Sequence, residues 1–341
     1  MIRNLRTAWV GAARWFAGTF GAVTNGLTSS MPAAAADRNV DMLIGGQAVI
    51  EGVLMRSLSG YSVAVRQPDG GVAIRKDRLV SITKRYPFLK IPVLRGSVVL
   101  IQSLILGVRA LNYSTTVAMG GEEGEAEMSS WAVAGSMIVA LLLGIGFFIL
   151  APLGIANLLR HYVMPSMSNL MYNAIDGVIR AIFFFVYLLS ISYMKDIRRV
   201  FQYHGAEHKT VYTFEANEEL TVENARGKST LHPRCGTSFL MFVLVISILV
   251  FSLVPSTMPF VVKFLARVVL IPLIAGLAYE VIRFSARHLA NPACRALIKP
   301  GLWLQRITTK EPDDSQLEVA ITALREALQY DAVESEQAAV A

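Results

Sequence analysis

Three of the chain's five histidines and one of its two cysteines fall in a single polar stretch, residues 203–236. Within it, His204, Glu207 and His208 form an H-x-x-E-H string. Positions four apart share one face of a helix, so both imidazoles can reach one ion with the Glu beside them. His232 and Cys235, as H-x-x-C, add a nitrogen and a sulfur at a spacing that a tight turn can close around zinc. Two close pairs separated by a loop predict a divalent, zinc-type site. Its ligands would be His204, His208, His232 and Cys235, with Glu207 handling a proton. The plainer alternative makes the histidines polar residues at a membrane-proximal helix end and Cys235 a small buried apolar residue. Lys209, next to His208, opposes a cation site unless it faces away.

Two further acids could join such a site. Glu51 is the only acid in residues 42–56, an apolar run bracketed by Gly45, Gly46 and Gly52. It is either a solvated Glu on a glycine-hinged strand or a ligand or base brought back to the metal. Glu280 lies near one end of an apolar helix and is either an acid, base or ligand at the site or half of an i,i+3 pair with Arg283.

The elements that must position these residues are mostly membrane-like. Of 341 residues, 54% are hydrophobic and 17% charged, which excludes a large soluble domain. The net charge of +7 comes from basic residues flanking apolar runs, so lipid headgroups and topology account for it and nucleic acid does not. Two cysteines give no disulfide framework.

Residues 1–40 interleave Arg3, Arg6 and Arg14 with Trp9, Trp15, Phe16 and Phe20. Arg14 interrupts the apolar run that a secretory signal needs, so the extension reads as interfacial or disordered. Residues 41–95 form a small β-rich element. In it the alternating runs 61–66 and 71–76 flank Gln67-Pro68-Asp69-Gly70, a hairpin signal, and 80–94 adds a third extended piece. Residues 96–118 contain an apolar run, 96–110, bounded by Arg95 and Arg109, too short to span and therefore re-entrant or interfacial. An acidic linker occupies 119–130.

Residues 131–283 hold four apolar segments, 131–157, 170–194, 237–254 and 268–282, and the His/Cys loop 195–236 lies between the second and third. Asp176 and Arg180, at i and i+4 inside the second, predict a structural ion pair. Arginine and lysine concentrate before residue 96, at 195–199 and after 283, which puts both termini and the His/Cys loop in the cytoplasm of a cell-membrane protein. The tail, 284–341, ends in a helix announced by a capping box at Ser315-x-x-Glu318. Leu317, Ala320, Ile321, Leu324 and Leu328 give that helix an apolar stripe. The fold class expected is thus an α-helical polytopic membrane protein of about four transmembrane helices and one re-entrant or interfacial helix. A small cytoplasmic β element and a cytoplasmic His/Cys loop complete it.

Several stretches resemble the YqhQ-like family of bacterial multi-pass membrane proteins of unknown function. They are GGQAVIEGV (45–53), HGAEHK (204–209), ELTVENAR (219–226), RCGTSF (234–239) and PGLWLQ with the following TTKEPDD and QLEVAI. The likeness runs from about residue 42 to 330. Members of that family have been labelled predicted metal-dependent enzymes, so the resemblance points again to His204, Glu207, His208, His232 and Cys235, without a reaction. Two functions follow. One is a cytoplasm-facing, zinc-type hydrolase acting on a lipid or membrane-protein substrate, with Glu207 or Glu280 moving the proton. The other is a non-catalytic membrane adaptor or assembly factor in which four ligands close a structural site. Three protein ligands favour the first and four the second.

Overall fold

The computed structural model describes residues 44–79, 86, 89, 91–121 and 130–340. The basic aromatic extension, most of the expected third extended piece and most of the acidic linker fall outside the described residues.

The Gly and Pro-Asp-Gly punctuation resolves into a four-stranded antiparallel meander, β1 (Gly45–Val49), β2 (Gly52–Arg56), β3 (Gly60–Arg66) and β4 (Val72–Arg78), in that spatial order. The expected 61–76 hairpin is β3–β4, with Arg66 opposite Val72. The expected glycine-hinged strand at 42–56 is instead two strands. The chain reverses at Ile50-Glu51, where Val49 pairs with Gly52 and Glu51 has φ +53°. β2 and β3 are apolar almost throughout because both faces of the sheet are covered. Val53, Met55 and Ala64 face one layer, while Leu54, Val63 and Val65 face the other.

On the second face lies α1 (Leu94–Ala118), whose Ala110, Tyr113 and Val117 pack on Val49, Leu54 and Val65. This corrects the expectation of a short helix at 96–110. Arg109 is exposed and does not end the helix, because arginine is a good helix former and only a cap, Gly or Pro would stop it. At 25 residues α1 is long and apolar enough to cross a membrane.

Next come α2 (Ser130–Ile145), a π turn (Gly146–Leu150) and α3 (Ala151–Tyr162), continuous enough for 134–162 to form a second candidate span. Pro152 follows the π turn; it lacks an N–H and its ring crowds the carbonyl four residues back, so the ladder widens there. Outward-facing Leu141, Leu142 and Leu143 are more than 60% exposed, which suits lipid and not water.

The third and fourth candidate spans are α4 (Asn169–Ser192) and α8 (Phe260–Arg287); between them α7 (Gly236–Ser252), equally apolar, has only 17 residues. α8 is longer than the 268–282 expected, because its first turns carry Lys263 and Arg267, which are buried and partnered inside the bundle. Arg267 Nη1 and Arg180 Nη2 donate to the two oxygens of Asp176 at 2.7 and 2.8 Å, so the expected i,i+4 pair holds and gains a third member.

Between α4 and α7 the chain forms α5 (Lys195–Glu215) and the short α6 (Val222–Arg226). After α8 come α9 (Pro292–Thr308), packed on α7, and α10 (Asp314–Val340), packed on β2, β3 and α5. The stripe expected on α10 is its buried face: Leu317, Ala320, Ile321 and Leu324 are at most 4% exposed. The capping box sits two residues before the one expected. Asp313 Oδ1 accepts the Gln316 N–H at 2.9 Å and Gln316 Oε1 accepts the Asp313 N–H at 3.0 Å.

Candidate metal centre

His204, Glu207 and His208 lie in the second half of α5, where the helix is buried on every side by the sheet, α10 and the 229–235 turn. Close approach requires glycine twice. A Cβ on Gly205 would meet the Lys310 carbonyl oxygen at 2.1 Å, and one on Gly46 would meet the Leu54 carbonyl oxygen at 2.2 Å and Glu207 Cδ at 3.3 Å. Cys235 is the N-cap of α7; its Sγ accepts the Thr237 N–H at 3.3 Å.

The donor atoms of His204, His208 and Cys235 lie within 4.8 Å of one another, all buried. The two rings are 4.5 Å apart between centroids. His204 Nδ1 is 2.8 Å from the Thr308 carbonyl oxygen, and His208 Nδ1 bonds the Thr230 carbonyl oxygen. A carbonyl oxygen can only accept, so both Nδ1 atoms carry a proton, and in the neutral ring each Nε2 presents its lone pair. His204 Nε2 is 3.1 Å from Cys235 Sγ. Among the described residues, His208 Nε2 is buried with no hydrogen-bond partner. Two imidazoles with Nδ1–H anchored on backbone carbonyls, their Nε2 lone pairs converging on a thiol, are the donor set and the orientation that a zinc-type ion takes. The residues fit such an ion.

The fourth expected ligand is turned away. His232 Nε2 faces the Glu215 carboxylate at about 3.4–3.5 Å, and its Nδ1 accepts the Arg234 N–H at 3.4 Å. Its backbone is clamped by Gln305, whose Oε1 accepts the His232 N–H at 2.7 Å and whose Nε2 donates to its carbonyl at 2.8 Å. Burial pushes the His232 imidazole down to about 4, with Glu207 partly offsetting, so its contact with Glu215 is a hydrogen bond from a neutral ring and not an ion pair. Glu215 is instead neutralised by Arg234. Burial also lowers His208, against the opposing effect of Cys235.

Glu207 stands beside the cluster. Its Oε1 accepts the Gly46 N–H at 2.8 Å, and burial raises its carboxyl above the usual range despite His204 and that N–H. Lys209 faces away: its Nζ reaches the Arg226 carbonyl oxygen at 2.8 Å and the Glu311 carboxylate. Glu51 pairs with Arg199 and takes a long 3.4 Å bond from Tyr203 Oη. Glu280 pairs with Arg95 through both oxygens and accepts the Val93 N–H at 3.3 Å. The expected i,i+3 partner Arg283 is thus replaced by Arg95, and neither Glu51 nor Glu280 is among the grouped ligands.

The sequence offered little warning of Thr230, Thr308, Gln305 and Glu215, which orient the imidazoles. Gln305 alone carried a signal, as an amide at the end of an apolar run. A cleft of about 520 Å³ leads to His204, Glu207 and Cys235 between β1, α1, α7 and α8, and Leu100, Leu106, Phe239 and Ile282 give it largely apolar walls.

Residues 91–330 match the profile of a family described as a protein of unknown function, DUF1385. The chain is 37% identical over 304 residues to an uncharacterized protein, YqhQ, of Bacillus subtilis (strain 168), covering 86% of this chain and 94% of that protein. No solved structure matches it. With the profile matching more than half of the chain, and a relative at this identity along nearly its whole length, the protein belongs to the DUF1385 family.

Proposed function

We propose that the chain is a metal-dependent membrane enzyme of hydrolase type. His204, His208 and Cys235 hold a zinc-type ion, Glu207 moves the proton, and the site faces the cytoplasm. The observation that carries this reading is the pair of Nδ1–carbonyl bonds that leaves His208 Nε2 buried, unprotonated and unpartnered. When bound, such an ion supplies Lewis acidity, polarising a carbonyl or phosphoryl group and making a water more acidic.

The protein's own residues do the rest. Glu207 is held by Gly46 at one oxygen, and its raised affinity for a proton poises it to take one from a water and return it to a leaving group. The cleft orients an apolar substrate, a lipid or a membrane-protein segment, with its reactive group at the cluster. What supports an enzyme over a closed structural site is the ligand count, since His232 is committed to Glu215 and Arg234.

Glu207→Gln tests the reading. Purified protein loaded with zinc is assayed against phospholipids, lipid esters and membrane-embedded peptides. The variant should keep the metal and lose at least about a hundredfold in turnover, the usual share of a positioned acid–base group. Turnover equal to wild type in the variant would reject Glu207's role. Metal retention without turnover by the wild type would favour the adaptor reading.

A further inference from the structure

The end of the bundle opposite the His/Cys cluster holds a second group of charges that the proposed chemistry does not use. α7 begins at Cys235 and ends at Ser252, so the loop after it lies about 25 Å from the cluster at 1.5 Å per residue. There a cavity of about 400 Å³ is lined by Asn157, Arg160, His161, Ser256, Thr257 and Lys263. Among the described residues its wall contains no carboxylate.

The charge balance around this cavity is lopsided. Lys263 is 2% exposed, yet among the described residues its Nζ hydrogen-bonds only neutral oxygens: Asn157 Oδ1 at 3.2 Å, Tyr172 Oη at 3.1 Å and the Ser256 carbonyl at 3.3 Å. Arg160 donates to that same carbonyl, and both cations lie over the Tyr172 ring. One turn deeper, Asp176 is shared by Arg180 and Arg267, so that carboxylate is already outnumbered. Among the described residues, four cations therefore gather near one carboxylate at this end of the bundle. An uncompensated charge at membrane depth is costly, and such residues mark ligand or ion paths. The arrangement calls for an anion.

The donors narrow its chemistry. Residues carrying a guanidinium fork, an ammonium, an imidazole and, at Ser256 and Thr257, hydroxyls line an open cavity large enough for a phosphoryl group and its substituent. Arg and Lys with hydroxyl donors are the set that recognises the tetrahedral oxygens of a phosphate. We infer that this cavity is a phosphate-binding site, filled by the headgroup phosphate of an anionic phospholipid or by free phosphate. Asn169 steadies its rim, since its Oδ1 accepts the Ser256 N–H at 2.6 Å. The site is independent of the metal centre, and its failure or success leaves that reading untouched.

The test uses the full chain in detergent, with its thermal midpoint followed against inorganic phosphate, short-chain phosphatidylglycerol and short-chain phosphatidylcholine. A rise with both phosphate and phosphatidylglycerol identifies the phosphate group as sufficient; a rise with phosphatidylglycerol alone identifies a lipid headgroup. In either case Lys263→Met and Arg160→Gln should each raise the apparent Kd about tenfold or more, as expected for losing a charged donor to an anion. No rise with either anion overturns the inference, as does an equal rise in both variants. Phosphatidylcholine matching phosphatidylglycerol also overturns it, because a surplus of cations should disfavour the choline group. Should Lys263→Met not fold, Arg160→Gln, on a half-buried side chain, decides alone.

Discussion

Gly205→Ala separates the tertiary account of the metal centre from local helix preference, because the two give opposite signs. Gly205 lies inside α5, where alanine is favoured over glycine by about 0.8–1.0 kcal/mol, so propensity alone predicts stabilisation. The added Cβ would sit 2.1 Å from the Lys310 carbonyl oxygen, whereas real Cβ contacts are essentially never under 3.0 Å. That oxygen is backbone and cannot rotate away, so α5 and the 308–311 segment must part by about 0.9 Å. Two bonds span this contact, Lys310 N–H to the Phe201 carbonyl at 2.8 Å and His204 Nδ1 to the Thr308 carbonyl.

Overpacking costs about 1–3 kcal/mol and each of the two weakened buried bonds about 1 kcal/mol, so after the gain of about 0.9 kcal/mol in propensity the net effect is a loss of about 2–4 kcal/mol. Thermal unfolding of metal-free protein in detergent should show a midpoint several degrees lower. Metal affinity should fall about 10–100-fold, because His204 loses the carbonyl that fixes its tautomer. Gly227→Ala is the control: among the described residues nothing lies within 4 Å of its added Cβ and φ is −74°, so its stability should stay within about 0.5 kcal/mol of wild type. A Gly205→Ala protein as stable as wild type, with unchanged metal affinity, would refute the close approach on which the site is built.

Two further expectations concern pH and topology. His232 titrates at about 4 when folded against about 6.5 unfolded, so its contribution is fully present above 6.5 and is lost as pH falls towards 4, on the order of 3 kcal/mol. Lowered His208 acts in the same direction, while raised Glu207 acts oppositely, losing stability as pH rises. Metal-free His232→Gln should therefore keep Glu207's trend and show a smaller acid-side loss between pH 6.5 and 4 than wild type; an identical loss would count against the buried neutral ring. Ser229 is exposed in the 227–235 turn and both native cysteines are buried, so Ser229→Cys reports sidedness. A membrane-impermeant maleimide should label it only after lysis, and labelling in intact cells would reverse the proposed orientation.

How much of this was legible in the sequence depended on whether the cause lay close along the chain. The β3–β4 hairpin follows from Pro-Asp-Gly, the shared face of His204 and His208 from i,i+4 spacing, and the buried face of α10 from its apolar stripe. Cys235 was grouped with them from its H-x-x-C spacing, and it is the N-cap that begins α7 directly after the turn. His232 stands apart from the grouped donors because the turn that carries it is fixed by Gln305, 73 residues away, and its ring by Glu215 at the end of α5. Glu280 was drawn to Arg95, 185 residues distant, and nothing in its own helix announces that pairing. The reach of α8 exceeds its apolar run because Lys263 and Arg267 find oxygen and carboxylate partners that the run itself does not announce. Arg109 misled for α1.

The central claim is that His204, His208 and Cys235 form one metal-binding unit, and metal content tests it most directly. Wild-type protein purified without chelators and analysed by inductively coupled plasma mass spectrometry should carry about one zinc-type ion per chain, as a single three-ligand site requires. His208→Ala, which removes the unpartnered Nε2, should lose it, whereas His232→Gln should retain it. Wild-type protein that carries and takes up no stoichiometric metal, or a His208→Ala protein that holds as much as wild type, would contradict the account.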